Sequence, residues 1–214
     1  AYHGNDERRV PPLILGHEIS GVSLGGKLKN KNVVINPLIS CENCEYCKNS
    51  REHLCPNRTM IGMSTPIKRE GGLAELVSVP EKNIYEIPKS LSIKEAALSE
   101  PAAVALHAVL LAEQNLKKPL SESEILIQGG GAIGLLCGLI LNKEKKAKNI
   151  IMSDPNKKRL DECAKYLKAD FVIPEDKSIN ENGFDLVLES VGLEITRHQA
   201  IKSIAPGGTI VHIG

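Results

Sequence analysis

A glycine-rich turn between a predicted strand and a predicted helix places the strongest constraint on the fold of this chain. Gly129, Gly131 and Gly134 directly follow the apolar run at residues 125–128. In this setting the first glycine permits a tight turn, the second lets backbone approach a pyrophosphate, and the third lets helix and strand pack closely. The helix N-terminus offers free N–H groups to the phosphates. The segment therefore predicts a dinucleotide site whose contacts are Gly129, Gly131, Ala132, Ile133 and Gly134.

An acidic residue after the next predicted strand indicates which cofactor the turn accepts. Asp154 lies twenty positions beyond the last glycine of the turn. A carboxylate at this place accepts hydrogen bonds from ribose hydroxyls and repels a 2′-phosphate, which favours NAD over NADP. Arg159 is also a predicted cofactor-binding residue. The preference for NAD would be weaker if the side chain of Arg159, Lys157 or Lys158 turned toward the ribose. The alternative is a glycine-rich turn followed by an aspartate that caps a helix.

Strand and helix patterns alternate through the second half of the chain. Strands are predicted at residues 124–128, 149–153, 171–173, 184–189 and 209–213, and helices at residues 132–141, 156–167 and 196–204. This alternation implies a parallel sheet with helices on its faces, and right-handed crossovers make such a sheet doubly wound. The predicted fold class is therefore α/β.

The first part of the chain, to about residue 90, has the pattern of a β domain with long loops. Short strands are predicted at residues 33–35, 76–79 and 84–87. Ser92 and Glu95 predict the capping box of a helix, and an alanine-rich helical segment follows with Pro101 as a break or a fresh start. We therefore predict two domains, at residues 1–92 and 93–214.

A compact group of cysteines predicts a metal site in the first domain. Cys41, Cys44, Cys47 and Cys55 form the pattern C-x2-C-x2-C-x7-C within a lobe at residues 40–57. Four thiolates suit tetrahedral zinc in a closed structural site that contributes folding energy. Two disulfides, an iron–sulfur cluster and a redox switch are the alternatives. Cys137 and Cys163 lie in predicted helices and are expected to be packing residues.

A histidine and two glutamates are candidates for a second metal site. His17 and Glu18 are adjacent, and Glu100 precedes Pro101. Histidine with a carboxylate can hold zinc with an open position, as a Lewis-acid catalyst requires. On the residues alone, a surface pair at 17–18 and a helix cap at Glu100 are the simpler interpretation.

Composition excludes several classes of partner. The 27 Lys and Arg residues nearly balance the 26 Asp and Glu residues, so nothing predicts attraction to nucleic acid or to an acidic membrane surface. The longest apolar run is far shorter than a membrane span, and the first ten residues are polar and charged. We therefore expect no membrane association and a cytoplasmic location.

Four stretches together resemble the zinc-containing alcohol dehydrogenases of the medium-chain dehydrogenase/reductase family. The resemblance is greatest to the polyol branch, which includes sorbitol and butanediol dehydrogenases, and to threonine dehydrogenase. PLILGHEISG at residues 12–21 resembles the family's catalytic-zinc segment, and CENCEYCKNSREHLCP at residues 41–56 resembles its structural-zinc lobe. GGLAELVSV at residues 71–79 and LSEPAAVALHA at residues 98–108 resemble its domain junction, and residues 125–154 resemble its NAD fold.

The resemblance implies a GroES-like β domain, incomplete at residues 1–92, followed by a Rossmann domain. It implies that His17 is a ligand of a catalytic zinc, with Glu18 or Glu100 as the carboxylate partner, because family members differ over which one binds. It also implies that the four clustered cysteines hold a structural zinc. The expected cofactors are thus NAD and two zinc ions, and the expected assembly is a homodimer or homotetramer.

The chain also departs from the family's pattern. The family places a catalytic cysteine ligand, and the Ser/Thr and His of a proton relay, upstream of the segment that matches residues 1–4; His3 is not that relay residue and is expected in a loop. The family's opening strands and its final strand and helix have no counterpart here. Residues 174–183 are shorter than usual and leave little room for a helix. We therefore expect a chain truncated at both ends.

Two functional hypotheses follow. The first is a zinc-dependent oxidoreductase that transfers a hydride between a secondary alcohol or polyol and NAD. The second is a non-catalytic fragment that retains NAD and one structural zinc, which the missing thiolate favours. A zinc-free reductase of the same family is disfavoured by the cysteine lobe.

Overall fold

The computed structural model describes residues 6–214, so His3 lies outside the described residues. Its contacts divide the chain into two compact units, one ending at Glu100 and the other beginning at Pro101. The predicted domain boundary at residue 92 lies eight residues earlier and stays a proposal. Within residues 6–214, no helix combines the length and the apolar character needed to cross a bilayer.

The first unit is built from short antiparallel strands and long loops. Strands β1 (Ser20–Val22), β2 (Asn32–Ile35) and β5 (Ile84–Glu86) form one sheet in the order β1-β2-β5. Strands β3 (Leu38–Ile39) and β4 (Thr59–Met60) form a second, two-stranded sheet. Side chains alternate along β2, so Val33 and Ile35 are buried while Asn32 is exposed. The first unit also contains α1 (Glu45–Lys48) and α2 (Ile93–Ala96).

The predicted strand at residues 76–79 is wrong. Its alternation of apolar and polar residues is strand-like, but no strand of the described residues pairs with it. A strand needs a neighbour for its N–H and C=O groups, and Leu76 is 73% exposed. The segment is therefore a loop.

The predicted parallel sheet of the second unit is confirmed. Five strands lie in the order β10-β9-β6-β7-β8, and every neighbouring pair is parallel. They are β6 (Glu124–Gln128), β7 (Asn149–Ser153), β8 (Asp170–Val172), β9 (Phe184–Glu189) and β10 (Ile204–His212). Because β7 lies on one side of β6 and β9 on the other, the chain switches direction at β6. Ligands of open α/β sheets bind at the carboxyl ends of strands at such a switch point.

Helices cover both faces of this sheet. They are α3 (Ser99–Asn115), α4 (Ala132–Leu139), α5 (Lys157–Ala164) and α6 (Glu194–Ser203). One face buries Ile125, Ile127, Met152 and Leu188 in the larger core, and the other buries Leu126, Val187 and Ala200. As expected, no helix lies between β8 and β9.

Several predicted boundaries are corrected by local backbone geometry. Helix α4 ends at Leu139, and a π-helical turn at Ile140–Glu144 follows. Strand β10 begins at Ile204 rather than at residue 209, with an irregularity in its pairing between Ile204 and Thr209. Of the two alternatives at Pro101, the structure has the fresh start: α3 begins at Ser99, and Pro101 lies in its first turn without breaking it. Proline is tolerated there because its missing N–H has no intrahelical partner. The capping box of Ser92 and Glu95 is confirmed.

Candidate cofactor and metal sites

The glycine turn between β6 and α4 has the backbone geometry that its sequence predicts. Gly129 adopts a φ of +101°, which favours glycine, and its N–H donates to the Ser153 carbonyl over 2.8 Å. A Cβ on Gly134 would overlap the Gly129 carbonyl oxygen, so only glycine lets the helix start so close to the strand. A Cβ on Gly131 would meet no protein atom within 4 Å. The turn is thus packed tightly against protein at Gly134, whereas Gly131 faces open space.

The N-terminus of α4 is available to an anion. Gly131 is the N-cap residue, and no side chain of the described residues caps the helix there. A cleft beside it is lined by Gly130, Gly131, Ala132, Lys158 and Arg159, among others. Glycine, an uncapped helix terminus and basic side chains together suit a phosphate group.

Asp154 lies beside this turn but is already engaged by backbone. Its Oδ2 atom accepts the Gly130 N–H over 2.8 Å, and its Oδ1 atom accepts the Asn156 N–H over 2.7 Å. The side chain is 3% exposed, and Arg159 Nη1 lies 3.6 Å from Oδ2. The carboxylate therefore fastens the glycine turn to the end of β7. That it also accepts a ribose hydroxyl stays a prediction.

Ser190 is a residue of this site that the sequence analysis missed. Its hydroxyl donates to the Gln128 carbonyl over 2.7 Å, and its Oγ atom lies 2.8 Å from a Cβ placed on Gly129. It therefore packs against the turn from the β9 side. The only available signal was its position directly after the predicted end of β9.

The four clustered cysteines converge in the first unit. Their Sγ atoms all lie within 4.8 Å of one another, with 3.4 Å between Cys44 and Cys47 and 4.0 Å between Cys41 and Cys47. Zn–S bonds of about 2.3 Å place tetrahedral sulfurs about 3.8 Å apart. The donors and their separations therefore fit one zinc ion. A cluster of several irons would hold its thiolates farther apart.

The local backbone orients these thiols. Helix α1 carries Cys47, with Cys44 at its N-cap, and Cys55 is fully buried. Hydrogen bonds from the N–H groups of Asn43 and Cys44, together with the Cys55 thiol, lower the pKa of Cys41 to about 6. None of these cysteines is in a disulfide. The group can thus supply thiolates to a metal.

His17, Glu18 and Glu100 form a second convergent group in the first unit. One ligand atom from each lies within 4.8 Å of the others, although 82 positions separate Glu18 from Glu100. Backbone hydrogen bonds between two loop segments position the histidine: the Gly72 N–H donates to the Gly16 carbonyl over 2.9 Å, and the Leu73 N–H donates to the Leu15 carbonyl over 2.9 Å. Glu100 lies in the first turn of α3.

The electrostatics of this second group suit a cation. Burial raises the pKa of Glu100, the His17 side chain lowers it, and the Glu18 carboxylate raises it, with a net upward shift. A cation between them would relieve the repulsion of the two carboxylates. Within residues 6–214, no thiol belongs to this group.

The two remaining cysteines are packing residues, as expected. Cys137 and Cys163 are buried in the core of the second unit. Burial raises the pKa of Cys137 to about 12, and burial followed by the charges of Asp154 and Glu162 raises that of Cys163. The Cys163 thiol donates to the Gly130 carbonyl over 3.5 Å.

Comparisons with known protein families assign both halves of the chain. Residues 1–89 match the alcohol dehydrogenase GroES-like domain family, and residues 132–214 match the zinc-binding dehydrogenase family. The predicted fold class, a GroES-like β domain with a Rossmann sheet, is therefore confirmed.

Individual relatives carry related activities. The chain is 33% identical to the D-xylulose reductase A of Aspergillus oryzae, over 95% of this chain and 59% of that protein. It is 32% identical to the L-threonine 3-dehydrogenase of Pyrococcus horikoshii, over 97% of this chain and 60% of that protein. The chain thus spans about 60% of the length of these curated relatives.

A solved structure reproduces the same architecture. A protein from Sinorhizobium meliloti 1021, described as a zinc-binding dehydrogenase and bound to NADP, superposes with a TM-score of 0.85 at 30% sequence identity. The match covers 99% of this chain and 64% of that one.

Proposed function

This chain belongs to the zinc-containing alcohol dehydrogenase family, and we propose that its protein transfers a hydride between a secondary alcohol or polyol and NAD. The observation that carries the proposal is the convergence of His17, Glu18 and Glu100, because these residues offer a cation a nitrogen and carboxylate oxygens at one point. The cysteine lobe and the glycine turn support the same conclusion.

We assign different roles to the two metal-ligand groups. Cys41, Cys44, Cys47 and Cys55 supply four ligands, which fills a tetrahedral site and suits a structural zinc. His17 with Glu18 or Glu100 supplies fewer than four protein ligands and so leaves room for a substrate oxygen. When bound, a zinc at His17 supplies a Lewis acid for the substrate hydroxyl, and nicotinamide supplies the hydride acceptor.

The residues of this chain bind and orient these groups. The imidazole of His17 would donate a nitrogen lone pair to the metal, and the pairing of residues 15–16 with residues 72–73 holds it in place. Gly131 and the uncapped N-terminus of α4 would hold the pyrophosphate. Asp154 keeps the glycine turn against β7 and, on our proposal, favours NAD by repelling a 2′-phosphate. The NADP in the S. meliloti structure is a property of that protein.

The substrate class rests on the relatives. These relatives are named for D-xylulose and L-threonine, which carry hydroxyl or carbonyl groups on a short carbon chain. We therefore infer a small secondary alcohol or polyol as the substrate.

A second candidate function is binding of NAD and one zinc without catalysis. The absence of a thiol from the His17 group of the described residues favours it. Catalytic zinc sites commonly have three protein ligands, and a weakly held zinc would stabilise the reacting oxygen poorly.

The test is NAD reduction with a panel of secondary alcohols and polyols. We would compare residues 1–214 with a chimera extended at both ends by the flanking segments of the A. oryzae D-xylulose reductase. We expect turnover by the chimera and little or none by residues 1–214. A chimera that binds zinc and NAD but oxidises no alcohol would favour the second function. Robust turnover by residues 1–214 would mean that His17, Glu18 and Glu100 suffice.

A further inference from the structure

A buried carboxylate on the opposite side of the glycine turn from Asp154 has no role in the proposed site. Glu189 is the last residue of β9, and its side chain is fully buried. In the sheet it lies directly beside Gln128, the last residue of β6 before the turn. Buried carboxylates are costly unless their hydrogen bonds are made, so this residue needs a specific reason.

Glu189 fastens the loop that follows β9. Its Oε1 atom accepts the Val191 N–H over 2.9 Å and the Gly192 N–H over 2.8 Å. The same atom accepts the Thr196 hydroxyl, in the first turn of α6, over 2.9 Å. One oxygen therefore joins the loop, the helix and the end of the strand.

The loop at residues 190–192 packs directly on the glycine turn. A Cβ on Gly129 would lie 2.8 Å from Ser190 Oγ and 2.9 Å from Val191 Cγ2. A Cβ on Gly134 would lie 3.1 Å from Ser190 Oγ. A shift of this loop would therefore move the backbone that we propose for the pyrophosphate.

The second oxygen of the carboxylate faces two basic side chains. Oε2 lies 3.5 Å from His212 Nδ1 and 3.9 Å from Arg197 Nε, and it has no hydrogen-bond partner among the described residues. Burial opposes ionisation, but the hydrogen bonds from Gly192, Val191 and Thr196, together with the nearby His212 side chain, hold the pKa of Glu189 below its usual range. The group is thus a charged acceptor at neutral pH.

We propose that Glu189 is a positioning residue of the cofactor site at the carboxyl end of β6: through Val191 and Gly192 it fixes the loop on one side of the glycine turn, as Asp154 fixes the other side. The inference rests on the proposed cofactor site. On this proposal Glu189 does not contact the cofactor, because its side chain is fully buried, and its effect on cofactor affinity passes through the loop. The two sides come from β7 and β9, the strands that flank β6 at the switch point.

The test is an NADH titration, read by cofactor fluorescence in a chain that has no Trp. For Glu189→Ala we expect the Kd of the folded protein to rise about tenfold or more, since the loop is no longer preorganised. Glu189→Gln keeps an acceptor for the two N–H groups and should stay within about threefold of the parent. Phe184→Leu, at the buried start of the same strand, is the matched control: it should lower stability without changing the Kd.

Each outcome decides the inference. A parent-like Kd for Glu189→Ala overturns it, as does equal weakening by Phe184→Leu or a Glu189→Gln variant as weak as Glu189→Ala. If Glu189→Ala does not fold, the Thr196→Val variant is tested in its place, because this substitution removes one of the three hydrogen-bond donors to Glu189. A raised Kd for NADH in Thr196→Val then supports the inference, and a parent-like Kd overturns it. A parent chain that binds no NADH overturns the proposed cofactor site and the inference together, whereas binding that ignores Glu189 overturns the inference alone.

Discussion

Replacement of Asp154 by alanine should weaken NAD binding more than NADP binding. The side chain fastens the glycine turn through Gly130 and begins the next loop through Asn156. Alanine leaves both N–H groups without their acceptor. A buried donor without a partner costs about 1–3 kcal/mol, and the Asn156 N–H is only partly buried, so we expect a loss of unfolding free energy of about 2–4 kcal/mol.

The effect on binding separates the two cofactors. In Asp154→Ala, NAD loses an acceptor for its ribose hydroxyls, and the glycine turn that binds its phosphates is held less firmly. The Kd for NAD should therefore rise about tenfold or more. The less firmly held turn also weakens NADP binding, but the variant no longer has a carboxylate that repels the 2′-phosphate of NADP. The Kd for NADP should therefore change less. Glu162→Ala is the matched control, because Glu162 lines the same cleft and its carboxylate pairs only with Lys165 among the bonds described. It should change the ratio of the two Kd values by less than about twofold.

The assay is a parallel titration with NADH and NADPH, with chemical denaturation of each variant. Equal affinity of the parent for both cofactors would refute the reasoning, and so would an unchanged ratio in Asp154→Ala.

Three further predictions concern the metal lobe, the turn and the sheet. Cys44→Ser should lose the zinc that the parent retains after dialysis, while Cys163→Ser should keep it; zinc analysis that finds equal content in both would exclude the cysteine lobe as the site. Gly131→Ala should leave the unfolding free energy within about 0.5 kcal/mol of the parent but raise the Kd for NADH, because the new Cβ meets no protein atom and occupies the opening offered to the phosphates; an unchanged Kd would contradict this. Burial raises the pKa of Asp185, but Lys118 and the Glu124 N–H together lower it by more, so the net shift is downward. This carboxylate therefore stabilises the fold above about pH 4, and its contribution disappears as the pH falls through the lowered pKa. Parent and Asp185→Asn should therefore converge in stability at low pH, and parallel curves would contradict the assignment.

Local patterns predicted the second unit well because its signals are local. The strands at Glu124–Gln128, Asn149–Ser153 and Phe184–Glu189 have the predicted bounds, since each is a short apolar run between turn residues. The glycine turn was predictable for the same reason: a Cβ on Gly134 would overlap the backbone.

Features that depend on distant partners were not predictable from local patterns. The run at residues 76–79 looks like a strand, but strand formation requires a neighbour, and the sequence does not show which segment that is. Glu189 looks like the polar end of an apolar strand, and only the structure shows its bonds to Val191 and Gly192.

The metal-ligand groups differ in the same way. The four cysteines lie within 15 positions, so their spacing alone indicated a metal site. Glu100 is 83 positions from His17, so the residues alone favoured a surface pair and a helix cap. The resemblance to a family favoured the metal site instead, and the structure places the ligand atoms together. The roles of all these residues stay predictions until metal binding is measured.

The central claim is that His17 holds a zinc that the reaction needs. The direct measurement is NADH formation from a polyol by the extended chimera, titrated with zinc after chelation, for the parent and for His17→Ala. We predict that zinc restores the parent and that His17→Ala stays at least about a hundredfold less active at every zinc concentration, while the zinc of the cysteine lobe is retained in both. Activity of His17→Ala close to that of the parent, or activity of the parent that does not depend on zinc, would contradict the account.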